Sequence, residues 1–512
     1  MKTSRGWWAL SGLVAGVVGL ALSYAAAALL HVRESPVAVV AEGFASLTPG
    51  PVVKWAINTF DKDDKKVLVV GIILFLLVAF ALLGRLARRR WWAAVTGYVV
   101  LAGIAVVAVA TKPNPSVIDF APTVVGFLFW IVTLAVLAEW LRRWELVAES
   151  EDPRAEPMHT RRHFFLAVGG ATAFAGAAGL LGRVAGSARR RAEESRRLLR
   201  IEGVTAPDVP DGVSFEIPGV STWETPSDDF YLIDTAFIKP TIAPADWSLR
   251  IHGMVEKEIT LSYRDLVARE ITQDWITLNC VSNTVGGDLI GNAWWSGVRL
   301  ASILAEAGPL PEANAVLQTS DDGWNCGTPL AALMDERNAM LAVAMNGEPL
   351  PIEHGFPVRT IVPGLYGYVS ATKWVVDMEV TRFDDITAYW TDKGWSELGP
   401  VKIASRIDVP RNGDDVPAGE LVVAGVAWLQ HTGISAVEVQ VDGGRWQRAE
   451  LATTPNVDTW VQWRVSLDVE EGSRQLRVRA IDLEDDVQTG AIADVLPDGA
   501  TGWHTIEINA KA

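Results

Sequence analysis

The chain has 512 residues, of which 49% are hydrophobic and 22 are tryptophan, yet its formal net charge is -16. One soluble globule does not reconcile those values, whereas an apolar membrane part joined to an acidic soluble part does. The acidic balance leaves no broad phosphate-binding face and excludes nucleic acid as a partner. The only two cysteines, Cys280 and Cys326, exclude a disulfide scaffold, CxxC zinc sites, cysteine-ligated iron–sulfur clusters and a CxxCH haem attachment.

In chain order, Trp7–Leu30 is almost purely apolar and long enough for a bilayer, which takes about 20 residues. Val67–Leu83, Trp91–Ala110 and Pro122–Trp140 follow as further spans. Phe164–Leu181 is a fifth, and its Gly and Ala residues suit close helix packing in lipid. Arg85, Arg88, Arg89 and Arg90 make a basic loop that reads as cytoplasmic. Lys2 and Arg5, and Arg142 and Arg143, fall on the same side. The expectation is a multi-pass, five-span, all-α transmembrane region over residues 1–182 of a cell-membrane protein, with everything after Leu181 extracytoplasmic.

The cluster Arg189, Arg190, Arg191, Arg196, Arg197 and Arg200 opposes that orientation. The run His159-Thr160-Arg161-Arg162-His163-Phe164-Phe165-Leu166 before the fifth span resembles an internal twin-arginine translocation signal over residues 160–166. That pathway exports folded, cofactor-loaded proteins. A plain basic anchor flanking a helix is the competing reading.

Residues 183–212 are Arg/Glu-rich and read as a linker, a helical stalk running into a loop. From Val213 to about residue 400 short strands (Trp247–His252, Trp275–Asn279, Ala315–Thr319, Trp374–Val380) mix with helices (Tyr263–Arg269, Leu300–Ala307, Pro329–Leu333), the pattern of an α+β domain. Over residues 401–512 the texture is strands only: Leu421–Trp428, Ala436–Val441, Trp460–Leu467 and Gln475–Ile481. Asp442-Gly443-Gly444 forms a hairpin signal joining one strand to the next. This region reads as an immunoglobulin-like β-sandwich.

Cys280 ends the apolar run Trp275-Ile276-Thr277-Leu278 and precedes a loop containing Gly286, Gly287, Gly291 and Asn292. A thiolate at a strand end beside a glycine-rich loop suits a soft metal, and spacing alone does not name that metal. A buried thiol packing as a small hydrophobe is the bland alternative. Further on stand His354-Gly355-Phe356-Pro357-Val358-Arg359, an imidazole and a guanidinium five apart, and Pro363-Gly364-Leu365-Tyr366-Gly367-Tyr368-Val369-Ser370-Ala371-Thr372-Lys373-Trp374. Met345-Asn346-Gly347-Glu348-Pro349-Leu350 precedes both.

Taken in order, these runs resemble the sulfite oxidase family of molybdopterin-dependent oxidoreductases, from about Val213 to the carboxyl terminus. The resemblance implies a Mo-molybdopterin cofactor with Cys280 as the catalytic metal ligand. It implies that His354 and Arg359 contact the pterin and phosphate end, and that Ala371, Thr372 and Lys373 cap the phosphate. Tyr231 and Leu232, in Phe230-Tyr231-Leu232, match pterin-touching positions. Thr319, in Thr319-Ser320-Asp321-Asp322-Gly323-Trp324, matches a cofactor-contacting one, and Tyr389 falls near the family's active-site tyrosine. For Tyr231 and Thr319 a packed aromatic or a turn residue is an equal reading. Cys326 reads as a buried thiol. The last domain, with its lead-in Ser405-Arg406-Ile407-Asp408-Val409-Pro410, resembles the family's dimerisation domain and implies a homodimer.

The family's sulfite-oxidising members place arginines around the metal, one shortly after the ligand cysteine and another in an FYxRN segment. Here Val281-Ser282-Asn283-Thr284-Val285 and Leu232-Ile233-Asp234 stand there, and Arg299 and Arg382 match neither position. Among seven histidines only His31 and His163 touch a span, so an external electron carrier, a cytochrome or a quinone, is expected instead of an intrinsic haem. Three functions stay open: a membrane-anchored oxidoreductase acting on a small-molecule substrate such as a sulfur compound, an S-oxide reductase of the methionine sulfoxide type, and a non-catalytic membrane interaction scaffold.

Overall fold

A computed structural model describes all residues except 1–4, 31, 33–35, 50–51, 53–58, 60–63, 112–116, 150–156, 186–187 and 237. Lys2 and His31 therefore lie outside the described residues. The chain divides into two compact units, Met1–Arg191 with Ala236–Lys239, and Ala192–Thr235 with Pro240–Ala512.

Five helices of the first unit are long and apolar enough to cross a membrane among the described residues: Arg5–Leu29, Lys66–Ala87, Trp91–Ala110, Val117–Val147 and Arg161–Arg183. They match the five spans read from the sequence, and the short apolar helix Pro36–Leu47 was not foreseen. Their outer side chains are apolar and uncovered, as with Phe75 (64% exposed) and Val107 (62% exposed). Such a surface suits lipid and not water.

Close packing through small residues falls on the first helix as well as on the fifth, where Ala175 and Ala178 are buried and a Cβ on Gly182 would meet Tyr24 at 2.6 Å. A Cβ on Gly12 would meet the backbone of Phe80 and Gly84 at 2.1–2.7 Å, and one on Gly19 would meet the Trp130 indole at 2.1 Å. A Cβ on Gly169, Gly170, Gly176 or Gly179 of the fifth span would meet no other helix within 4 Å among the described residues. The first helix is thus the crowded axis of the bundle, where small residues let backbones approach. One end of the bundle gathers the charges: Arg88 pairs with Glu145 at 3.1 Å, Trp8 Nε1 donates to Glu145 at 3.2 Å, and Arg161 lies over the Trp144 ring at 4.9 Å.

In the second unit four sheets form two layers. The first sheet contains β1 (Ser248–Gly253), β2 (Ile259–Ser262), β5 (Ala315–Ser320), β6 (Asn325–Pro329) and β10 (Val375–Thr381), ordered β2-β1-β10-β5-β6. The second contains β3 (Thr272–Asn279), β4 (Ile290–Arg299), β7 (Met340–Met345) and β8 (Glu348–Pro349), ordered β3-β4-β7-β8, with β9 (Arg359–Ile361) on β7. Helices Tyr263–Val267, Leu300–Ala307 and Leu330–Met334 lie between strands. The first carries a capping box of Ser262 and Asp265, which satisfies its first free N–H groups.

The carboxyl-terminal layer is all strand. One sheet is ordered β11-β13-β17-β16, from β11 (Ala404–Val409), β13 (Gly419–Trp428), β16 (Glu450–Leu451) and β17 (Val461–Val469). The other is ordered β12-β19-β18-β14-β15, from β12 (Asp415–Pro417), β14 (Ile434–Val441), β15 (Gln447–Arg448), β18 (Gly472–Asp482) and β19 (His504–Lys511). Val423, Trp463, Val437, Val478 and Ile506 pack the two sheets on one core. The turn at Asp442–Gly444 does join two strands, but its second strand is the two-residue β15, paired back on β14.

Residue 400 does not separate two bodies. Val426, Trp428 and Trp460 of the strand-only layer belong to the same core as Trp223, Trp275 and Trp294. The segment before β1 crosses both layers: the Phe215 N–H donates to Gln462 and the Ser221 N–H to Asp408. Thr225 N–H then donates to Asn292 O at 2.7 Å. The expected stalk reduces to one helix, Ala188–Leu198. Its Ala192 is buried against Phe230, Trp295 and Met345, and Arg196 Nε donates to the Pro349 and Leu350 carbonyls at 3.1 and 2.9 Å.

Candidate functional site

Cys280 stands one residue past β3, an edge strand whose pattern is continuous because both faces are covered. Ile276 and Leu278 pack beside Phe230, Trp295 and Phe356, with Tyr231 against that cluster. Trp275 points the other way, into the core shared with Trp460. Alternation places Cys280 on the side of Ile276 and Leu278. The glycine-rich stretch after it is shorter than expected: Gly291 and Asn292 already belong to β4. A Cβ on Gly291 would meet the Phe230 ring at 2.8 Å, so this glycine serves a close approach within a strand. Asn283 turns the loop by accepting from Leu289 N–H at 3.0 Å.

Burial pushes the Cys280 thiol up, while bonds from Ser282 and the Lys373 ammonium oppose that rise. The same sulfur raises the Tyr231 phenol, which burial already raises and Arg359 lowers. Tyr231 therefore lies within electrostatic reach of Cys280 and Arg359, and Cys280 within reach of Lys373. Cys326 is a separate buried thiol, 3.2 Å from Thr372 Oγ1.

Arg359 and Lys373 are brought together by backbone. They pair as an isolated antiparallel bridge, and Thr360 N–H donates to Thr372 O at 3.0 Å. Gly355, at φ +110°, lies against both: a Cβ there would stand 3.0 Å from Arg359 Cβ and 3.2 Å from Lys373 Cα. Any larger residue would push the two cations apart and strain the left-handed turn.

The partners of these groups decide what the cluster can hold. Arg359 is 4% exposed, and its guanidinium lies over the Trp295 ring at 5.2 Å. It donates to the His354 carbonyl at 3.2 Å and the Ala371 carbonyl at 3.5 Å, and its Nε is buried without a partner among the described residues. Burial lowers its pKa to about 10. A buried cation facing neutral carbonyls, with a donor left over, fits an anion such as a phosphate. His354 Nε2 donates to the Ser227 carbonyl at 3.0 Å, and the ring stands edge-on to Phe230. Lys373 differs, since Asp234 pairs with it at 3.1 Å and both side chains are about a tenth exposed (9% and 10%).

Asp234 was not singled out from the sequence; it lies 139 positions from its lysine, and no local pattern signals the pair. Leu232, in the same segment, is exposed. Ala371 contributes its carbonyl to Arg359, and Thr372 N–H donates to Thr360 Oγ1 at 2.8 Å. On β5 the buried polar side chains are Gln318 and Ser320, and Gln318 accepts from Thr360 at 2.7 Å. Thr319 falls on the opposite face of that strand. Tyr389 is placed by its N–H donating to Asn325 at 2.9 Å, by Trp390 and by Lys393 over its ring. Arg299 donates to the carbonyls of Asp335, Glu336 and Arg337, and Arg382 pairs with Asp384 in solvent. Both are occupied away from Cys280.

Residues 236–390 match the family described as the oxidoreductase molybdopterin binding domain. Mitochondrial sulfite oxidase of Homo sapiens is 27% identical over 321 residues, 52% of this chain and 58% of that protein. The uncharacterized oxidoreductase YuiH of Bacillus subtilis (strain 168) is 34% identical over 153 residues, 30% of this chain and 74% of that protein. A crystal structure of the sulfane dehydrogenase SoxCD from Paracoccus pantotrophus is similar at 21% identity and a TM-score of 0.48, covering 62% of this chain and 98% of that one. The chain thus spans little more than half the length of the curated sulfite oxidases it matches. The buried, anion-seeking Arg359 agrees with a phosphate-bearing pterin, and the cofactor is Mo-molybdopterin. The chain belongs to the sulfite oxidase family of molybdopterin-binding oxidoreductases.

Proposed function

We propose that this protein is a membrane-anchored oxidoreductase that exchanges two electrons, or an oxygen atom, with a small sulfur compound at a cysteine-ligated molybdenum centre. The observation that carries this reading is a buried Arg359 whose Nε has no partner among the described residues, bridged by backbone to Lys373 and linked through Tyr231 to Cys280. When bound, the cofactor supplies the two-electron and oxygen-atom chemistry. Cys280 holds the metal as thiolate, and Lys373 and Ser282 favour that ionised form. Arg359 and His354 hold the pterin and phosphate end, with Tyr231, Ala371 and Thr372 along it.

Direction and substrate follow from charge. Lys373 is neutralised by Asp234, and Val281-Ser282-Asn283 supply no cation after the cysteine. A sulfite dianion needs cations around the metal, so a neutral sulfur compound suits this pocket better. The same neutrality favours the second reading, an S-oxide reductase of the methionine sulfoxide type. Dye-linked assays of the purified full chain separate them. Turnover of S-oxides with a reduced dye, and none of sulfite with an oxidised dye, favours the reductase. Absence of bound molybdenum would instead leave an interaction scaffold.

The catalytic unit lies on the extracytoplasmic side, delivered through the twin-arginine-like run at Arg161 and Arg162. Clustering of Arg88, Glu145, Trp8 and Arg161 at one bundle end supports one shared, cytoplasmic side for the basic loops. Electrons pass to or from an external cytochrome or quinone, and the strand-only layer serves as an immunoglobulin-like dimerisation domain. Changing Arg161 and Arg162 to Lys is expected to keep the carboxyl-terminal unit inside intact cells, protected from added protease. Equal cleavage of parent and variant would refute the export route.

A further inference from the structure

The free edge of β3 is covered by residues of the strand-only layer, and the cover contains a carboxyl one of whose oxygens has no hydrogen-bond donor among the described residues. Thr277 N–H donates to the Asp458 carbonyl at 2.9 Å, and Gln430 Nε2 donates to the Thr277 carbonyl at 3.0 Å. Trp460 N–H donates to Thr277 Oγ1 at 2.8 Å. Asn456 completes the cover, donating to Asp274 at 2.6 Å and to the Trp275 carbonyl at 3.1 Å. Three residues past Thr277 stands Cys280.

Asp458 is 8% exposed, and its Oδ1 is buried without a hydrogen-bond partner among the described residues. Gln430 Oε1, 3% exposed in the same cover, is in the same condition. The groups around Asp458 do not supply a counter-charge. From β3 comes another carboxyl, Asp274, held by Asn456 and by Asn338. Arg337 is committed to Asp335 at 2.8 Å and to the Pro363 carbonyl at 2.9 Å. His431 Nδ1 stands 3.7 Å from Asp458 Oδ1, and burial, then Arg337, lower the His431 pKa against the pull of Asp335, which weakens the imidazole as a counter-charge. A buried carboxyl beside a half-buried one, with no free cation among the described residues, is unfavourable when both are charged.

We propose that Asp458 is a proton-operated clamp on the edge of β3. With Asp458 neutral, the 456–460 loop and Gln430 hold Thr277 firmly; with Asp458 ionised, the uncompensated charge loosens that hold and frees the strand that leads to Cys280. Burial, then Asp274 and more weakly Asp335, push the Asp458 carboxyl from 3.8 up to about 6 against a hydrogen bond from the His431 backbone and the attraction of Arg337, so the change falls between about pH 4 and pH 6. The native clamp binds more protons than the opened one, and its stability is lost as pH rises through that range.

Hydrogen exchange of the full chain in detergent, followed by mass spectrometry on peptides covering residues 274–279, reads the clamp directly. After correction for intrinsic rates, protection of this segment is expected to fall about tenfold between pH 5 and pH 7.5. In Asp458→Asn that dependence should disappear. His431→Ala, which leaves the carboxyl in place, should keep it. Equal protection of the parent at both pH values, or an unchanged pH dependence in Asp458→Asn, would overturn the proposal. If Asp458→Asn fails to fold, the His431→Ala result decides, since loss of the dependence there would assign it to the imidazole.

Discussion

The two sides of β3 make opposite use of a buried charge. Toward Phe230 and Trp295 stands Arg359, a cation whose Nε lacks a partner among the described residues. Toward Trp460 and Gln430 stands Asp458, a carboxyl oxygen in the same state. The cation cannot shed its charge at physiological pH, so it is stabilised by acquiring an anionic ligand. The carboxyl can shed its charge by taking a proton, and needs no ligand. One strand therefore separates a binding site from a titrating hinge, and the chemistry of the orphaned group tells which is which.

The largest expected effect is at the strand's end. Cys280→Ser should reduce turnover to background while thermal unfolding stays near the parent value, because a hydroxyl is a poor, hard ligand for this metal. Full activity with bound molybdenum would remove Cys280 from the centre. Next comes Arg359. Arg359→Ala should cost about 1.5–3 kcal/mol of cofactor binding, more than His354→Ala, which leaves the permanent charge in place. Arg359→Met sharpens the comparison, since the cofactor-free protein should gain about 1–4 kcal/mol on losing an unpaired buried charge. Calorimetry of protein from molybdenum-starved cells measures that gain.

Smaller effects test the other side. Stability of the parent should decline by about 1.4 kcal/mol more than that of Asp458→Asn between pH 5 and pH 7.5. Denaturant unfolding at the two pH values checks this, and parallel declines would cancel the contrast. Asp234→Asn has the smallest expected effect. By releasing Lys373 it should shift the preference between anionic and neutral sulfur substrates by about 1 kcal/mol, roughly fivefold, toward the anion. An unchanged preference would place Lys373 away from substrate.

Much of the frame was legible in the sequence because it rests on local pattern. The spans are long apolar runs, and β3 stands out as an apolar stretch covered on both faces. The two motifs that hold His354, Arg359 and Lys373 lie within twenty consecutive residues and form one backbone pairing. What escaped depends on register and on distant partners. β4 begins at Ile290 although Gly291 suggested a loop, because Phe230 packs where a Cβ would stand. Gln318, one residue before Thr319, is the β5 side chain that meets Thr360. Composition pointed to the fifth span for close packing, and Ala175, Ala178 and Gly182 bear that out, while Gly12 and Gly19 of the first span carry closer approaches that composition did not signal. Asp234 and Asp458 act on residues far away in the chain, and their meaning appears only once the strands are placed.

Molybdenum and pterin content of the purified full chain, compared between the parent and Arg359→Ala, tests the central claim most directly. A phosphate end held by Arg359 and His354 predicts a molybdenum-loaded parent, and a variant of reduced occupancy whose activity per molybdenum atom stays near the parent value. Full occupancy in Arg359→Ala would contradict it and move the phosphate end of the cofactor elsewhere.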